Sequence, residues 1–82
     1  MKLLAIGIGK EVKNEENSLY KRKTWSIPIE AEKVEDVDPT NVSADLYKDK
    51  DNGGMVPSQI ILVSVEDGAP VVKEAWDAGD YN

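Results

Sequence analysis

Along the first dozen residues bulky apolar and small positions alternate with period two: Leu4, Ile6, Ile8 and Val12 share one parity, while Ala5, Gly7 and Gly9 leave the other nearly bare. That period belongs to a β-strand. The bare side leaves room for another backbone or a bulky side chain to pack close. The polar run "NEENS" then ends the strand. A second alternation follows in "YKRKTWSIPIE", where Trp25, Ile27 and Ile29 share one parity and Tyr20, Arg22, Thr24, Ser26, Pro28 and Glu30 the other. This register predicts a strand with Trp25 turned inward beside Ile27 and Ile29. Lys21 and Lys23 fall on the side of Trp25, near the strand's start, where their stems can pass the rim of the core and keep the ammonium groups in water. Pro28 cannot donate to a ladder, so the strand is expected at a sheet edge or bulged.

The pattern is less decisive after Glu30. Ala31, Val34 and Val37 are spaced by three within an acidic stretch that breaks at Pro39, which fits one short helical turn or an acidic loop. Val42, Ala44 and Leu46 alternate with Ser43, Asp45 and Tyr47 and predict a third short strand. Asn52-Gly53 supplies hairpin-turn chemistry after it. "SQIILVSVE" is apolar on both parities from Ile60 to Val63, as a central, doubly covered strand requires. Asp67-Gly68 is a second hairpin signal, and residues 70–77 read as the strand that closes it, with a Pro70-initiated helix as the alternative. The expected fold is mostly β, a small antiparallel barrel or sandwich of about five strands with at most one short helix. One domain spans residues 1–77, and residues 78–82 form a short acidic tail. The expected core is Leu4, Ile6, Ile8, Trp25, Ile27, Ile29, Leu46, Ile61, Val63, Val65 and Trp76.

Composition narrows the chemistry. The 82 residues contain neither Cys nor His. The commonest general base, the thiolate nucleophile and most transition-metal ligands are therefore missing, which argues against an enzyme and implies no cofactor and no metal. "DKDNGG" begins like a calcium loop with Asp49, Asp51 and Asn52, but Gly53 stands where the third ligand belongs and Ile60 where a bidentate Glu is needed. "GIGK" lacks the second half of either glycine-rich phosphate fingerprint, so Gly7 and Gly9 read as packing relief. The opening apolar run is too short for a secretory leader and no segment approaches the roughly 20 apolar residues of a membrane span, so a soluble, intracellular protein is expected.

Charge is the feature that bears on function. Residues 1–23 hold six Lys or Arg against three Glu, whereas the rest of the chain holds four Lys against thirteen acids. Two stretches follow as candidate partner contacts: the basic cluster Tyr20, Lys21, Arg22 and Lys23, and the acidic run Glu30, Glu32, Glu35, Asp36 and Asp38. The basic cluster beside Trp25 would suit a small nucleic-acid-binding barrel, provided the indole were exposed for stacking. A net charge of −6 opposes general binding to a phosphate backbone. The acidic run would suit an inhibitor that imitates nucleic acid on a partner's basic site. The reading preferred on this evidence is a non-enzymatic protein–protein interaction or assembly module, a homo-oligomeric structural subunit among its forms, in which the basic and acidic parts of different copies meet.

Overall fold

A computed structural model describes residues 1–49 and 55–82. Strands β1 (Lys2–Lys13) and β2 (Tyr20–Glu30) form a long hairpin; a 3₁₀ turn (Val34–Asp36) and helix α1 (Pro39–Lys48) follow; β3 (Gln59–Glu66) and β4 (Ala69–Asp77) form a second hairpin, and a 3₁₀ turn (Ala78–Asp80) ends the chain. The strands make one antiparallel sheet in the order β2-β1-β3-β4. The chain is therefore mostly β with one short helix, and its sheet is not closed into a barrel.

The strand count is one below expectation because residues 42–47 are helical. Asp38 caps α1, its carboxylate accepting the Thr40 N–H at 2.9 Å, and Pro39 occupies the first turn, where its missing N–H costs nothing. Val42 and Leu46, two turns of an alternation in the strand reading, are also one helical turn apart, and both are buried. The Asn52-Gly53 turn and most of the calcium-like segment lie outside the described residues. Asp67-Gly68 does turn the β3–β4 hairpin, with φ of 52° and 81°, the pair of positive angles a two-residue hairpin loop needs. Residues 70–77 are strand.

The sheet's two faces are not equivalent, and the occupied one is the reverse of the face expected for β1. Trp25, Gly7, Ile60 and Trp76 lie in one row across the four strands, with Ile27, Ala5 and Leu62 in the next. Because Gly7 and Ala5 are small, β1 forms the floor of a trough, and α1 lowers Leu46 into it. A Cβ on Gly7 would stand 3.3 Å from both Leu46 and the Trp25 ring, closer than side chains normally pack. The core consists of Leu3, Ala5, Trp25, Val42, Leu46, Ile60, Leu62 and Tyr81, with Ile27, Ile29, Val34, Val37 and Trp76 packed at its margin. Leu4, Ile6, Ile8, Ile61, Val63 and Val65, expected inside, sit on the opposite face; Val63 is covered there by its strand neighbours, whereas Val65 is 72% exposed. The bare side of β1 accepts the bulky groups because a helix cannot approach a sheet through a row of Leu and Ile as closely as through Gly and Ala.

The short acidic tail packs back on the fold through Tyr81. Tyr81 is buried, and its hydroxyl donates to the Pro57 carbonyl at 2.5 Å while the Ala78 N–H donates to Ser58. Burial, then the nearby Asp77 and Asp80, raise the Tyr81 phenol above its ordinary value of 10.0. The unfolded chain thus releases this proton first. The stabilisation is complete below pH 10 and is lost as pH rises from there through the raised folded value. Thermal melts taken across that range should show a steeper alkaline fall for the wild type than for Tyr81→Phe; equal slopes would mean the phenol titrates alike in both states.

Candidate interaction edge

Strand β2 ends the sheet on one side, with β1 as its only neighbour among the described residues. Two hydrogen bonds fix which way its backbone points. Leu19 accepts from Asn14 N–H and Ala31 donates to the Met1 carbonyl, so odd-numbered residues face β1. By period two, the N–H and C=O groups of Tyr20, Arg22, Thr24, Ser26 and Glu30 point away from the sheet. Pro28 also takes an outward position, where its missing N–H deprives the β1 ladder of nothing, as its place on an edge strand led one to expect.

The side chains alternate independently of this. Trp25 is only 5% exposed, and its indole N–H donates to the Leu46 carbonyl at 3.0 Å, so the ring is core and offers no stacking surface. Lys21 and Lys23 are on the same side, beyond the rim of the core. A register shift between Ile8 and Glu11 carries Val12 to their side, and together with Met55 they line a groove with an apolar floor. Arg22 lies on the other side and donates to the Gly9 carbonyl at 3.2 Å, which ties it to the bulge. Tyr20 is 61% exposed.

At the far end of β2 the chain turns onto the α1 side. Asp36 and Asp38 line, with Asp45 of α1, an open groove of about 350 Å³ bordered by Pro28, Ile29 and Glu30, and the Glu30 carboxylate pairs with the Met1 ammonium at 3.2 Å. Asp38 already serves as the helix cap. Glu32 and Glu35, from the same acidic run, are exposed but lie outside that groove. Asp45 is the site residue that the linear pattern misses, because reading 42–47 as a strand places it on a face instead of beside β2. The Asp38-Pro39 pair, a helix-start signal, is what could have exposed the error. Among the described residues no group of three or more carboxylates is placed to hold a metal ion.

The basic and acidic sets therefore do not meet within one copy. They occupy opposite ends of one edge strand, roughly 26 Å apart from Arg22 to Glu30 at a strand's rise per residue. The opposite sheet edge is differently made: a register shift between Leu62 and Val63 inserts Lys73 into β4, and Lys73 pairs with Glu66. The hydrogen bond from Lys73 holds the Glu66 carboxyl below its ordinary value. The inserted residue interrupts the regular edge that strand addition needs, whereas β2 runs without one. No family model, no curated protein and no solved structure matches the chain.

Proposed function

We propose that the protein is a non-enzymatic assembly module that binds other copies of itself, as a structural subunit would, through the β2 edge. The observation that supports this is the polarity of that edge: a row of backbone donors and acceptors that no other described strand pairs, with Lys21, Arg22 and Lys23 at one end and Glu30, Asp36 and Asp45 at the other. Unpaired edges are templates for another strand, and opposed charges select the partner and its orientation. Since the chain carries both halves of the charge pattern, the simplest complement is its own copy.

Sedimentation velocity over a wide concentration range tests this. A discrete oligomer is expected at low salt, and it should dissociate as the screening length falls from about 8 Å at 0.15 M to about 3 Å at 1 M. A monomer at every concentration and salt would end the assembly reading, and salt-sensitive binding of that monomer to a basic protein would replace it with imitation of nucleic acid.

A further inference from the structure

We infer that two copies join edge to edge through β2, antiparallel and centred on Trp25, extending the four-stranded sheet into a continuous one of eight. This rests on the assembly reading above and specifies its interface.

Charge decides the direction. A parallel alignment would lay Lys21, Arg22 and Lys23 against the same three residues of the second copy, and like charges directly across a ladder repel. Head-to-tail contact would satisfy one basic end and one acidic end and leave the others open, so that copies would add without limit. The antiparallel two-fold satisfies both ends at once and closes at two.

The backbone permits this alignment. Overlapping the whole of Tyr20–Glu30 on itself places Thr24 opposite the second copy's Ser26 and Tyr20 opposite its Glu30, and all four are outward-pointing residues able to exchange N–H···O bonds. Arg22 faces the second copy's Pro28, where the Arg22 N–H still has a carbonyl to meet but the return bond is absent. The ladder therefore loses one bond at each of two symmetric positions, where the proline ring also holds the strands apart, and keeps the bonds of the central Thr24 and Ser26 pairs and of the Tyr20–Glu30 ends.

The side chains agree with the backbone. On the α1 side Lys21 comes opposite the second copy's Ile29 and Lys23 opposite its Ile27, both half-buried. The lysine stems lie along these apolar neighbours, and the ammonium groups reach the groove formed by Asp36, Asp38 and Asp45. On the other side Arg22 has the second copy's Glu30 as a diagonal neighbour, within reach of so long a side chain, beside the Met1 ammonium that already pairs with that carboxylate. Trp25 keeps its place beneath α1 and its bond to Leu46.

The test is a charge exchange read by sedimentation velocity. Lys21→Glu/Lys23→Glu and Asp36→Lys/Asp45→Lys each place like charges at both contacts, and each alone should weaken the dimer by at least about tenfold in Kd. An equimolar mixture restores opposite charges at both contacts, and a heterodimer should form with an affinity within a few-fold of the wild type. Ser26→Pro supplies a variant with no charge change: its amide points outward, so the fold keeps its ladder while the interface loses a central donor, and the dimer should weaken by at least about tenfold at any salt. Circular dichroism of each variant establishes that it is folded. An oligomer of unchanged mass in all three variants, with no heterodimer on mixing, would overturn this interface while leaving self-assembly intact. A wild-type monomer throughout would overturn both.

Discussion

Trp25→Ala should lower the free energy of unfolding by about 3–5 kcal/mol. The indole is 5% exposed, packs against the position of Gly7 and donates to Leu46 across a sequence separation of 21 residues, so its loss removes the largest side chain of the core together with a tie between β2 and α1. For a chain of 82 residues a total stability of about 4–12 kcal/mol is ordinary, so about a quarter or more of it rests on this one ring. Urea unfolding followed by circular dichroism measures the loss. Trp25→Phe separates the two contributions. It keeps most of the apolar contact and removes the donor, and since the Leu46 carbonyl also accepts from the Asp49 N–H, its cost should be nearer 1 kcal/mol. A loss below about 1 kcal/mol for Trp25→Ala would contradict an inward ring and return the cluster around Tyr20 and Arg22 to consideration as a stacking surface.

Leu46→Ala should cost about 2–5 kcal/mol, and toward the upper part of that range. Leu46 is fully buried and occupies the trough above Gly7, where β1 has no side chain that could move in to fill the space. The vacated volume would remain a cavity, the condition under which large-to-small changes cost most. Leu4→Ala is the matched control. Leu4 is 38% exposed on the opposite face, and its truncation should cost about 1 kcal/mol or less. If Leu4→Ala proved the more damaging of the two, the core would lie on the face that the bulky residues of β1 first suggest. Because Trp25 and Leu46 touch and share a hydrogen bond, the double variant should fall short of the sum of the singles.

The assembly reading connects these core effects to function. The same strand that sends Trp25 inward presents the backbone of Thr24 and Ser26 outward, so β2 is held in register by the core while its outer edge stays extended. An edge ordered before binding loses little conformational entropy on pairing. Core variants that loosen β2 should accordingly weaken self-association as well as stability.

What local chemistry dictates was legible in the chain itself. Period-two alternation located β1 and β2, and a run apolar on both parities located β3; Asp67-Gly68 marked the β3–β4 turn and so favoured a strand over a helix for residues 70–77, since few residues other than Asn, Asp and Gly tolerate two successive positive φ angles; Pro28 marked β2 as an edge or bulged strand; and parity turned Trp25 inward. The two charged stretches at Tyr20–Lys23 and Glu30–Asp38 were equally visible. Tertiary structure alone decided the rest. Both parities of β1 are apolar, so alternation could not say which one faces inward, and the answer came from α1, whose Leu46 fits only over Gly7 and Ala5. Val42, Ala44 and Leu46 satisfy a strand's period and a helical turn together, and the Asp38 cap with the cover α1 provides for the core selected the helix. The bulge at Gly9 and Lys10 moved Val12 to the other face, a one-residue insertion with no mark in the hydrophobic pattern. The separation of cations and acids along one free edge depends on which strand ends the sheet, and the pairing order of β1 with β2 and β3 settled that in three dimensions.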